Sequence, residues 1–199
     1  THTRSSAASD VYKRQQSNRD EPFFCYLPYN TPHSPMIIDD QWFGKFANTD
    51  PEMKFHDEKR EDINMTRAAL AMVENIDWNV GRILETLEEL ELADTTIVLF
   101  FSDNGPNSYR WNGGMKGRKG AIDEGGLRSP FVIQWPGHIE PGAQVTPVTS
   151  GLDLLPTLTG LAGIDLKSTV SAIEEKRSVG PHPIDGRSFA ELLLSLIHI

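Results

Sequence analysis

Asp103 and Asn104 stand side by side directly after the apolar run TIVLFF of residues 96–101, at the head of the stretch SDNGPNSYRWNGGMKGRKGAIDEGG over 102–126. A carboxylate and an amide oxygen at adjacent positions are hard donors, which suit calcium or magnesium and suit zinc poorly. The same Asp-Asn-Gly order forms turns wherever it occurs, and taken alone an Asx turn closing a strand accounts for it. Further along, Lys116, Arg118 and Lys119 lie among glycines. Glycine lets cations and backbone N–H groups approach an anion closely, whereas the plainer reading is a basic surface loop. His33 lies in Thr31-Pro32-His33-Ser34-Pro35, between prolines that stiffen its loop. Such an imidazole serves as a proton donor, as an anion contact, or as a solvated surface group.

Strands and helices must position these residues. PFFCYLPY, residues 22–29, is a short apolar and aromatic run that predicts a buried strand with the His33 loop at its C-terminal end. From 64 to 92 the apolar residues Val73, Ile76, Val80, Ile83, Leu84 and Leu87 recur at spacings of three and four, which predicts a long amphipathic helix. The run from Thr95 to Phe101 is continuously apolar or β-branched, as in a parallel strand covered on both faces, and residues 130–135 read as a further buried strand closed by Pro136-Gly137. Residues 151–162 predict a helix with Asp153 as N-cap and Pro156 in its first turn, 167–183 a polar loop, and 188–194 a short apolar helix. Strands alternating with helices make a mostly parallel sheet flanked by helices, a three-layer α/β/α arrangement with ligands at the carboxyl ends of the strands. The loops at 31–33 and 102–105 then face one edge.

Composition narrows the partners. With 19 basic and 28 acidic residues among 199 the chain carries a formal charge of −9, which argues against nucleic acid or an anionic membrane as the main partner. A single cysteine, Cys25, excludes an internal disulfide and a thiolate zinc site, and no apolar run reaches a membrane-spanning length. Residues 1–20 and 195–199 read as non-native tails around a catalytic-domain portion at 21–194, because RSSAASDVYKRQ and SLIHI have the look of translated adapter sequence.

Four ordered segments, PFFCYLPYNTPHSP, AMVENIDWNVGRILETLEELELADTTIVLFFSDNG, NGGMKGRKGAIDEGGLRSPFVIQWPG and DLLPTLTGLAG, resemble the sulfatase family over residues 22–164. These are calcium-dependent hydrolases of sulfate esters within the alkaline-phosphatase-like superfamily. The resemblance implies an incomplete α/β/α fold of that type. It makes Asp103 and Asn104 metal ligands for calcium, with magnesium as the alternative ion. Lys119, in the K-G-x-x-x-E-G-G pattern ending at Gly126, matches the active-site lysine, and His33 the active-site histidine. Lys116 receives a weak substrate-binding role, and Glu124, Gly125 and Gly126 scaffold the lysine loop. The substrate implied is a sulfated small molecule or a sulfated glycan, and the compartment implied is periplasmic or extracellular.

The family nucleophile is a hydrated formylglycine made from the Cys or Ser of a C/S-x-P-x-R motif. Cys25 is followed by Tyr-Leu-Pro-Tyr-Asn, with proline one place late and no arginine, so this chain contains no nucleophile and the formylglycine is expected upstream. Within its strand Cys25 reads as a small core hydrophobe. A phosphatase, phosphodiesterase or phosphonate hydrolase of the same superfamily is the enzyme alternative, and there His generally follows the strand-end Asp where this chain has Asn104. A noncatalytic fragment or pseudoenzyme that binds an anion is the other alternative. Leaving-group contacts fall to variable loops, with 36–63 and 106–112 as candidates.

Overall fold

A computed structural model describes residues 21–195. Both proposed tails lie outside the described residues, except that Ser195 closes the last helix. The contacts divide the chain into two compact units with the boundary after Ile133.

In the first unit, helix α1 spans Asp40–Phe43 and helix α2 spans Ile63–Glu89. Asp62 caps α2, its carboxylate accepting from the N–H groups of Asn64 (3.0 Å) and Met65 (3.1 Å), two of the donors that a helix start leaves without intrahelical partners. The buried stripe of α2 runs through Ala68, Ala69, Ala71, Met72, Ile76 and Leu87, and α1 packs against this helix. The stripe is rotated from the one predicted. Met72 is 1% exposed and Val73 is 50% exposed, because one residue is a turn of about 100° around a helix and only one of the two can face inward.

Strand β1, Val98–Phe101, pairs with strand β2, Phe131–Gln134, in a two-stranded sheet. Between them lies the single-turn helix α3, Glu124–Leu127. Beyond the strands, Ser102 N–H donates to Pro130 O (3.2 Å) and Gly105 N–H to Gly126 O (3.0 Å), so the two runs pass in opposite directions here. Residues 22–29 form no strand, which corrects the expectation. They are irregular, Phe24 is 80% exposed, and Cys25 is exposed rather than a core hydrophobe. A strand exists through its ladder, and among the described residues the sheet holds β1 and β2 alone, so this apolar run has no pairing partner in it. Phe100, Phe101, Phe131 and Val132 are exposed as well, so the sheet is not covered on both faces as the continuous apolar runs predict.

The second unit contains helix α4, Leu154–Leu161, helix α5, Leu166–Arg177, and helix α6, Ala190–Ser195. A 3-10 turn at Gly151–Asp153 precedes α4, with Ser150 and Asp153 in a reciprocal capping box. Asp153 closes this turn and also stands at the expected N-cap position of α4, with its side chain turned back to Ser150 rather than to the first N–H groups of α4. Helix α5 corrects the expected loop at 167–183. Asp165 caps it by accepting from Lys167 N–H and Ser168 N–H, and Lys176 and Arg177 occupy its last turn. It buries no residue, which is why periodicity missed it. No helix among the described residues is long and apolar enough to cross a membrane.

Candidate functional site

The site is built by main-chain bonds around glycines. Where β1 ends, Ser129 Oγ donates to Ser102 O (2.6 Å), and Gly105 lies so close to the returning chain that a Cβ there would meet Gly125 O at 1.9 Å. Gly125 N–H donates to Lys116 O (2.7 Å), and the Asn112 amide donates to both Met115 O and Gly117 O (3.0 Å each), which closes the glycine loop on itself. Gly125 and Gly126 are buried, and a Cβ on either would lie within 2.7 Å of neighbouring backbone oxygens. Only glycine fits such an approach.

This scaffold draws the sequence-predicted residues together. Lys119 N–H donates to Pro106 O (2.8 Å), which docks the lysine on the loop that begins at Asp103. Its side chain is exposed and forms no ion pair among the described residues, whereas Lys116 Nζ is paired with Asp123 at 3.0 Å. Asp103 is exposed at the strand end, and Asn104 Nδ2 donates to Asp103 Oδ1, which leaves the Asn104 amide oxygen and the second Asp103 oxygen for other partners. His33 Nδ1 donates to Ser34 O (2.7 Å), since a carbonyl can only accept, and this fixes Nε2 as the unprotonated nitrogen of the neutral ring. The His33 loop joins the others where Asn107 Nδ2 donates to Ser34 Oγ (3.2 Å). No hydrogen bond or ion pair links His33, Lys119 and the Asp103–Asn104 pair directly among the described residues; their backbones are gathered through Pro106 and Asn107.

Two hard oxygen donors at a strand end fit a calcium or magnesium ion as part of a ligand set, and such ions take about six to eight oxygens. Among the described residues no cluster of three or more His, Cys, Asp or Glu side chains completes the set.

Sequence reasoning singled out neither Asn107, Tyr109 nor Arg110. Arg118 Nη1 donates to Asn107 O (2.7 Å), and the Arg60 and Arg118 guanidinium carbons lie 3.9 and 4.7 Å from the centre of the Tyr109 ring. Burial lowers the Arg110 pKa from its ordinary value, with the Glu61 charge opposing. The only signal available was their position in 106–112, the loop already noted for leaving-group contacts.

The sulfatase family model matches residues 5–164. The rat (Rattus norvegicus) steryl-sulfatase is 32% identical over 204 residues, covering 98% of this chain and 30% of that protein. Human (Homo sapiens) arylsulfatase A is 36% identical over 154 residues, covering 74% of this chain and 26% of that protein. The crystal structure of Ps i-CgsB in complex with k-i-k-neocarrahexaose superposes with a TM-score of 0.72 at 28% identity, over 98% of this chain and 38% of that one. The chain thus spans about a quarter to a third of the curated relatives it matches. Its strand–loop–helix portion has the α/β fold of the alkaline-phosphatase-like type, incomplete here, and the chain belongs to the sulfatase family.

Proposed function

We propose that the protein to which this chain belongs hydrolyses a sulfate monoester, giving an alcohol or phenol and sulfate, and that this chain supplies the metal and leaving-group end of the active site. The observation that carries the reading is the Lys119 N–H···O Pro106 bond, which seats the family's lysine on the loop opened by Asp103 and Asn104. The family membership and the activities named for the relatives support the reaction class. The relatives' names span sterols and aryl compounds, and one structural relative is solved with k-i-k-neocarrahexaose, so a sulfated small molecule or a sulfated glycan is the proposed substrate.

In this reading Asp103 and Asn104 would help hold a calcium ion, which when bound would offset negative charge on the sulfate group. Lys119 places its ammonium where charge grows on the bridging oxygen as the S–O bond breaks. As an imidazolium, His33 would offer the departing oxygen a proton from Nε2, while its Nδ1–H···O Ser34 bond keeps the ring oriented for that task. The nucleophile, a formylglycine, is proposed to come from residues outside this chain.

In the full-length protein, Lys119→Ala is expected to lower turnover of an aryl sulfate by about 10²–10³ with calcium content retained, since a fixed cation aimed at developing charge has that typical worth. Asp103→Ala is expected to weaken calcium binding itself, read by calorimetric titration of the metal independently of activity. Full activity in Lys119→Ala, or unchanged calcium affinity in Asp103→Ala, would remove the corresponding role.

A further inference from the structure

Arg60 and the loop's own Arg110 and Arg118 gather around Tyr109, in the loop between the Asp103–Asn104 pair and Lys119. Tyr109 is flanked by two guanidiniums, Arg60 at 3.9 Å and Arg118 at 4.7 Å from its ring centre, and Arg60 Nη2 also donates to the Tyr109 hydroxyl. Arg110 follows in sequence. Among the described residues none of the three arginines forms an ion pair with a carboxylate. Glu61, whose charge acts on Arg110, already has its two oxygens engaged, one by Phe55 N–H (2.7 Å) and the other by the Thr66 hydroxyl (2.7 Å).

Arginines that serve only as scaffold normally end on acceptors that use their five donors. Here Arg118 spends one donor on Asn107 O, and among the described residues the buried Arg110 Nη1 and Ser108 Oγ have no partner. Contact with the Tyr109 ring restrains two guanidiniums without neutralising them, which keeps their charge for an incoming anion and reduces the entropy lost on binding it. The cluster is also tied to the proposed site. Arg118 precedes Lys119, and Asn107 bonds both to Arg118 and to Ser34 beside His33. In a chain with a formal charge of −9, such a local concentration of unpaired arginine marks a place that receives negative charge.

We infer that Arg60, Tyr109 and Arg118 form a subsite for a second oxyanion on the substrate, a sulfate or a carboxylate carried by the same sugar or ring system as the reacting ester. The inference rests on the sulfatase reading and deepens it, because it names the class of substrate preferred: one with more than one negative group. A planar guanidinium matches either oxyanion with paired N–H donors. Exposed Arg60 makes the outer contact and Arg118 the inner one, next to the lysine.

The test uses the full-length protein and three substrates: 4-nitrophenyl sulfate, an aryl sulfate with a second sulfate, and an aryl sulfate with a carboxylate. The quantity read is the kcat/KM of each dianionic substrate relative to the monosulfate. In Arg60→Ala and in Arg118→Lys that ratio is expected to fall about tenfold or more, mostly through KM, because a charged contact to the second group is lost. Loss confined to the disulfate or to the carboxylate substrate identifies which oxyanion the subsite takes. An unchanged ratio in both variants overturns the subsite, and a purely structural defect gives that result because it slows all three substrates alike. A wild-type protein that turns over none of the three and releases no sulfate from a sulfated glycan refutes the underlying sulfatase reading, a distinct failure from the first.

Discussion

Helix α2 and the segment 102–126 lie in the same unit and are stabilised in opposite ways. The helix is held by side chains: Ala71 and Met72 are buried almost completely, and none of its charged residues is buried, although Thr66 and Thr86 are. The segment is held by main chain, with Gly105, Gly125 and Gly126 pressed against neighbouring carbonyls and few apolar groups buried. With main chain and the Asn112 amide holding the segment, the exposed side chains of Asp103, Lys119 and Arg60 are available for a ligand. A helix core has no such freedom, since changing a buried side chain changes the packing.

Substitutions sharpen this contrast. The largest effect is expected for Gly105→Ala, whose Cβ would stand 1.9 Å from Gly125 O, a backbone atom that cannot swing aside. We expect a loss of about 4 kcal/mol or more, or failure to fold, measured by thermal melting of the full-length protein. A melt within about 1 kcal/mol of the parent would show that the glycine packing is not what holds the segment. Met72→Ala tests the other mode. At 1% exposure it is expected to cost about 3 kcal/mol by denaturant titration, the range for a buried large-to-small change.

Thr157 in α4 combines the two modes. It is 1% exposed, its hydroxyl donates to Asp153 O (2.6 Å), and it accepts from Phe189 N–H (3.0 Å) just ahead of α6. Thr157→Val preserves shape while removing both bonds, for an expected cost of about 1–3 kcal/mol, and a neutral result would assign the site to packing alone.

The smallest effect is a pH dependence. The Asp153 pKa is held below the ordinary carboxylate range, first by the N–H of Arg187 and then by that of Ser150. A carboxylate with a depressed folded pKa contributes stability that is fully present above its unfolded value, about 3.9, and is lost as pH falls through the lower folded value. Acid unfolding followed by circular dichroism is expected to be shallower below about pH 4 in Asp153→Asn than in the parent. Parallel acid profiles would remove this contribution.

Much of the helical layout was legible because local rules govern it. The 64–92 periodicity located α2 to within a few residues, and the Pro156 position and the 188–194 apolar run located α4 and α6. Helix α5 escaped because its evidence is the Asp165 cap and its basic last turn rather than a buried face. The run at 22–29 misled for the converse reason: apolar residues show that a segment can be buried, while a strand also needs a neighbour across the ladder.

The candidate site divides along the same line. Local chemistry in the sequence determined that Asp103 and Asn104 end a strand as paired oxygen donors, that a glycine-rich basic loop follows, and, through four ordered motifs, the sulfatase family. The tertiary structure alone decided that Lys116 spends its charge on Asp123 while Lys119 forms no ion pair among the described residues, and that Arg60 reaches across 49 residues to Tyr109. Charge pairing of this kind depends on which side chains the folded backbone brings within hydrogen-bond reach, and sequence distance carries no information about it.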